Sequence, residues 1–217
     1  MIKFLIPFFL VSIAFSLIYL NFVNANVQGG LLFSIFVVIA MVERIWETFF
    51  TPKDKNVLKF RGDWTLLATT SSYFIVSLIM IFGFFSSVSK NYFFVVLGLV
   101  IFLGSFLIRW WSMKSLKNEW TIHLNDSKNK NPVLIRTGPY KYIRHPIYLT
   151  AILDLIGLAF ISNFYFGIII IALINVPLFV WRSLYEEKIN MAKFSEKYAL
   201  YKKETSFMIP WKLLNTK

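Results

Sequence analysis

The chain has 217 residues, 57% hydrophobic, 19% aromatic and 16% charged, with a mean hydropathy of +0.62. Soluble domains average about 45–50% apolar and about 25% charged residues, so an ordinary soluble domain is excluded and an integral membrane protein is expected. The absence of cysteine removes disulfides, cysteine-ligated zinc and iron–sulfur clusters; with His123 and His145 the only histidines, no metal site is expected.

Six apolar segments follow in chain order, at 2–22, 31–50, 64–87, 92–113, 147–161 and 165–185. A bilayer-spanning helix needs roughly 20 mostly apolar residues, and most of these runs approach that length. Met1-Ile2-Lys3 with the run behind it also has the outline of a signal peptide, but its apolar stretch exceeds the usual length of about 7–15 residues, and it is read as the first span. No internal repeat or low-complexity linker interrupts the chain, which reads as one membrane domain over 1–217. Its N-terminal spans, 1–90, have no role legible in sequence.

The connections alternate in charge. Residues 24–30 and 162–166 carry none, and the turn after the third segment carries Lys90 alone. Residues 51–63 hold Lys53, Lys55, Lys59 and Arg61. Residues 114–146 hold Lys114, Lys117, Lys128, Lys130, Arg136, Lys141 and Arg144. With six spans all the basic connections share one side, and the positive-inside rule makes that side, and both termini, cytoplasmic. The net charge of +12 is thereby assigned to a membrane face and its lipids rather than to nucleic acid.

Ionisable residues inside spans cost free energy and usually face a bundle interior or an interface. They are Glu43, Arg44 and Glu47 in the second segment, Arg109 in the fourth, Asp154 in the fifth, and Arg182, Glu186 and Glu187 closing the sixth. In the expected topology nearly all lie in the cytoplasmic half. Arg44, Arg109 and Lys114 fit snorkelling. Asp154 sits about two turns inside its helix and needs a partner.

Two polar clusters flank the last hairpin. At its start, Arg144-His145-Pro146-Ile147-Tyr148 opens a helix: proline suits the first helical position, and the N–H groups and dipole there attract anions. Tyr140, Tyr142 and Tyr148 add aromatic faces. At its end, Arg182 and Glu186 are four apart on one helix face, with Glu187 turned about 100° away. A hairpin brings both clusters to the same membrane face. Together they offer donors for a carboxylate, acceptors for an ammonium or ribose, and aromatic walls for a base. No nucleophile with a paired base is present, so such a site holds reactants in line and excludes water. Beyond it, Phe194, Tyr198 and Tyr201, at i, i+4 and i+7 among Lys193, Lys197, Lys202 and Lys203, predict an amphipathic helix at the interface.

The combination Leu134-Ile135-Arg136-Thr137-Gly138-Pro139-Tyr140, Arg144-His145-Pro146-Ile147-Tyr148, Arg182, Glu186-Glu187 and the tail from Phe194 to Lys203 resembles the isoprenylcysteine carboxyl methyltransferase-like family of integral membrane methyltransferases. The resemblance covers roughly residues 103–211. It implies an all-α polytopic membrane protein whose C-terminal segment closes a cytoplasm-facing pocket for S-adenosyl-L-methionine. It implies cofactor contacts from Pro132, Val133, Leu134 and Ile135 through their backbone, and from Tyr140, Arg144, His145, Pro146, Tyr148 and Glu186. Arg182 and Glu187 are then the catalytic pair, Arg182 standing near the methyl acceptor. The implied acceptor is a lipid, or a prenylated small molecule or protein, whose tail enters sideways between helices. The chain departs from the family in carrying Pro132-Val133 where histidine often precedes the Leu-Val pair, and in a polar stretch at 125–131 that leaves His123 and Asn125 without an assigned role.

The expected activity is therefore S-adenosylmethionine-dependent methylation of a lipid-like acceptor, with isoprenylcysteine-type carboxyl O-methylation first and phospholipid amine N-methylation second. The remaining alternatives are an NADPH-dependent sterol or enone reductase, whose C-terminal half is similarly built, and a non-enzymatic membrane protein.

Overall fold

The computed structural model describes residues 2–46, 63–87, 89–116 and 133–214. They form helices α1 (Ile2–Val23), α2 (Gly30–Ile45), α3 (Trp64–Ser86), α4 (Tyr92–Leu116), α5 (Pro146–Ile161) and α6 (Phe166–Phe194), then the short α7 (Glu196–Glu204) and α8 (Trp211–Leu214). A 3-10 turn, Gly138–Lys141, precedes α5. No strand occurs among the described residues beyond an isolated bridge between Ile143 and Ser206. The chain is all-α.

The six apolar segments appear as α1 to α6 with boundaries close to those expected, except that α2 ends at Ile45, with residues 47–50 outside the described residues, and that α6 continues well past 185. By length and composition, α3, α4 and α6 are long enough to cross a membrane, while Phe8–Val23 and Pro146–Ile161 are shorter apolar helices. The 16 residues of α5 rise about 24 Å at 1.5 Å each, short of a hydrocarbon core of about 30 Å. The sequence around Glu47, most of the basic connection after α2, and the segment holding His123 and Pro132 lie outside the described residues.

Local chemistry sets the helix ends. Asp63 caps α3, its carboxylate accepting the Leu66 N–H at 3.1 Å, as a capping side chain does for an otherwise orphaned donor. Pro146 opens α5, where its missing N–H costs nothing. Within α6, Ile171–Asn175 widens into a π turn two residues before Pro177, the expected response of a helix that must absorb a proline. Asn163, at φ 56°, turns the α5–α6 hairpin, and its Oδ1 accepts from the Asn91 N–H at 2.7 Å and the Tyr165 hydroxyl at 2.9 Å.

Packing is intimate around α5. At the α4–α5 crossing Gly98 faces Gly157: a Cβ on Gly98 would lie 2.6 Å from the Gly157 carbonyl oxygen, and one on Gly157 would lie 2.9 Å from that of Gly98. Only glycine permits so close a backbone approach. α1 packs on α3 through stacked Phe9 and Phe74, and α2 through Phe33 stacked on Phe84 at 3.8 Å. Buried Leu155, Leu158 and Ala159 of α5 and Met80 and Ile81 of α3 form the middle of this core.

Charges inside the bundle are paired. Asp154 is fully buried and accepts from Ser105 and Arg109. Arg109 also reaches Glu43 at 2.6 Å, and Arg44 lies 3.6 Å from Asp154. The partner Asp154 needed is thus mainly Arg109, which is buried and paired here rather than snorkelling as expected, and the cluster joins α2, α4 and α5.

Candidate active site

The α5–α6 hairpin returns the start of one helix to the end of the other. His145 Nδ1 lies 4.0 Å from Glu186 Oε2, and the Tyr148 hydroxyl donates to the same oxygen at 2.8 Å. The two clusters separated by about forty residues in sequence therefore form one constellation. His145 is buried and the Glu186 side chain is 31% exposed.

The two glutamates have different surroundings. Glu187 is 4% exposed. Its Oε1 accepts from Arg144 Nε at 2.6 Å and lies 3.3 Å from His145 Nε2, while Oε2 meets Lys202 Nζ at 2.6 Å. Lys202 belongs to α7, so Glu187 ties α6 to both the start of α5 and the tail. Glu186 faces the aromatic side of the constellation instead.

Arg144, expected as a positive charge beside the helix N-terminus, is turned to the tail. Besides Glu187, its Nη1 donates to the Thr205 carbonyl at 2.5 Å and the Lys202 carbonyl at 3.3 Å. The backbone N–H groups of Arg144 and His145 donate to Phe207 at 3.1 and 3.2 Å, and the Ser206 N–H donates to the Tyr142 carbonyl at 3.0 Å. Lys212 then caps the carbonyls of Lys202 and Lys203 at the end of α7. Residues 205–207 thus run as a strap along 142–145, and the Phe207 ring stands edge-on to His145 with centroids 5.0 Å apart.

Of the three aromatic residues expected on one interfacial helix, Tyr198 and Tyr201 lie on α7, whereas Phe194 closes α6 and the positive φ of Ser195 breaks the run between them. The aromatic face of α7 is covered by the protein: Tyr198 and Tyr201 are buried, and the Tyr201 hydroxyl donates to the Tyr140 carbonyl at 2.7 Å. Burial pushes both phenols up from their ordinary pKa, and Tyr140 likewise, by burial and then by the Glu186 carboxylate. All three stay protonated donors at neutral pH.

Arg182 is 3% exposed. Its Nη1 donates to both oxygens of Asp63, at 3.0 and 3.2 Å, and to the Thr65 hydroxyl at 2.7 Å. It also lies within electrostatic reach of Tyr148 and Glu186. For Asp63, burial would raise the carboxyl's pKa, but Arg182 and the hydrogen bonds from Thr65 and Leu66 hold it below the ordinary carboxylate value. Trp64 and Trp181, both more than half exposed and with rings 6.4 Å apart, flank this corner as interfacial anchors do.

Of the residues expected at the site, Tyr140, Arg144, His145, Pro146, Tyr148, Arg182, Glu186 and Glu187 come together. Val133 is exposed and Leu134 and Ile135 are half-buried; Pro132 lies outside the described residues. Sequence reasoning did not single out Asp63, Thr65 or Phe207. An Asp immediately before an apolar run is a helix-start signal, which locates Asp63 as a cap but not as the partner of an arginine 119 residues away.

Residues 93–197 match the phospholipid methyltransferase family. Among solved structures, the eukaryotic intramembrane Ras methyltransferase ICMT (isoprenylcysteine carboxyl methyltransferase), without a monobody, is similar, with a TM-score of 0.63 and 17% identity over 92% of this chain and 74% of that one. No curated protein matches the chain. The match and the shared fold support the isoprenylcysteine methyltransferase-like resemblance read from the sequence, and the family match spans α4, the hairpin and the first residues of α7.

Proposed function

We propose, on the premise that residues 93–197 belong to the phospholipid methyltransferase family, that this membrane protein is an S-adenosylmethionine-dependent methyltransferase acting on a lipid-like acceptor at the cytoplasmic face. The observation that carries the reading is the convergence of His145, Tyr148 and Glu186 at the joined ends of the hairpin. These residues fit the cofactor's chemistry. Glu186 retains exposed carboxylate surface for an ammonium or ribose hydroxyls, and the rings of His145, Tyr148 and Phe207 suit a purine and a sulfonium.

When bound, S-adenosylmethionine supplies an already activated methyl group. The chain's own residues then have orienting work to do. Tyr148 fixes the rotamer of Glu186 by its hydrogen bond. Glu187 fixes the His145 ring and, through Lys202 and Arg144, the strap over it. Burial by the strap excludes water, and alignment of reactants is the main source of acceleration. An ionised carboxylate acceptor needs no general base, and none is assigned.

Isoprenylcysteine-type carboxyl O-methylation is the first acceptor class, with Arg182 at the acceptor end. Phospholipid amine N-methylation has a specific observation in its favour: the Arg182 charge is already balanced by Asp63, which weakens its call on a substrate carboxylate. Radiolabelled methyl transfer to a prenylcysteine analogue and to phosphatidylethanolamine separates the two. Thermal-shift measurement with S-adenosylhomocysteine and with NADPH tests the class: stabilisation by the former is expected, and stabilisation by NADPH alone would overturn it.

A further inference from the structure

We propose that Asp63, seconded by Thr65, is a positioning residue of this site, holding Arg182 so that Arg182 supports Tyr148 and, through it, the carboxylate of Glu186. This deepens the methyltransferase reading and rests on it. Asp63 and Thr65 lie outside the family-matched residues 93–197, so the N-terminal part of the chain completes a site whose other members come from the C-terminal half.

Four observations converge. Arg182 and Asp63 are both buried, and a buried charge requires a partner. The Arg182 Nη1 group contacts both Asp63 oxygens and the Thr65 hydroxyl, three acceptors that anchor this corner of the guanidinium. Thr65 in turn donates to Asp63 Oδ1 at 2.5 Å, and Asp63 caps α3 through Leu66, so the carboxylate itself is immobilised by two donors. On the far side, Arg182 lies within electrostatic reach of Tyr148 and Glu186, and the Tyr148 hydroxyl donates to Glu186. A continuous chain therefore runs from the first turn of α3 through α6 and α5 to Glu186.

The chain has a direction. Arg182 and Glu186 are four apart on α6, the spacing at which arginine and glutamate pair. Removing the Asp63 charge leaves Glu186 to take up the guanidinium, which would neutralise the carboxylate assigned to the cofactor and slacken Tyr148.

The test uses the full-length protein in detergent. Asp63→Asn removes the charge while keeping a good helix cap. Thr65→Val keeps the Asp63 charge, removing one neutral acceptor of Arg182 and one donor to Asp63, and serves if Asp63→Asn folds poorly. The chain has six arginines, so the Arg182 side-chain Nε–H resonance can be assigned by its loss in Arg182→Lys. In Asp63→Asn this resonance should move, and S-adenosylhomocysteine affinity by calorimetry should fall about tenfold, the worth of roughly one charge-assisted hydrogen bond. Thr65→Val should fall about twofold to threefold on the same scale, and Asp63→Glu should recover most of the affinity. An unmoved resonance, or a moved resonance with unchanged affinity, overturns the assignment. If the resonance moves but the unaltered protein binds no S-adenosylhomocysteine, the grip on Arg182 stands and the methyltransferase reading fails.

Discussion

Glu186 and Glu187 are neighbours in sequence and differ in everything that decides a role. Glu187 has both oxygens taken by Arg144, His145 and Lys202, so Glu187→Gln should release the tail. Breaking a buried ion pair costs about 3 kcal/mol, and the loss should register in denaturant unfolding together with faster proteolysis after residue 194. Unchanged stability and protease resistance would reject the tie. Asp63 carries a pH dependence. Its folded pKa lies below the ordinary 3.8, so its contribution is complete above that value and is lost as pH falls through the folded pKa. Unfolding between pH 5 and pH 2 should show an acid-labile component that Asp63→Asn lacks; identical acid profiles would contradict this. The doublet and the His-Pro corner were legible because residue type and spacing alone mark them. The partner of Arg182 was not, since a contact across more than a hundred residues is set by how α3 meets α6.

At the scale of elements, the hairpin and the tail meet at the candidate site. The six apolar segments and the returning hairpin follow from hydropathy and the turn at 162–166. The sequence pattern also predicted an aromatic face on α7, but periodicity identifies a face without naming what covers it. The cover is the 138–148 segment, through Tyr201 on Tyr140 and the bridge between Ile143 and Ser206. Truncation after Thr205 removes Ser206, Phe207 and Lys212, and with them the backbone hydrogen bonds to Tyr142, Arg144 and His145. If the strap closes the site, cofactor affinity should drop about tenfold or more, as for loss of a closing element. Equal affinity would make the strap a structural tether alone.

For the whole molecule, the buried cluster of Glu43, Arg44, Arg109 and Asp154 couples α2 to α4 and α5. The sequence showed that Asp154 needed a partner and that costly charges converge in one half. It did not show which pairs form, because several arginines were within reach of one depth. Asp154→Ala takes from Arg109 its fully buried partner and leaves it Glu43, and should destabilise by about 3 kcal/mol, whereas replacing Asp154 and Arg109 together by apolar residues should recover part of it. A double variant as unstable as the single one would contradict this pairing.

The most direct measurement of the account is calorimetric titration of S-adenosylhomocysteine into the purified full-length protein and into Glu186→Gln. Saturable binding to the first, weakened at least about tenfold in the second with the melting profile retained, is the predicted result. Equal binding by both proteins would place the cofactor away from the joined ends of the hairpin and contradict the account.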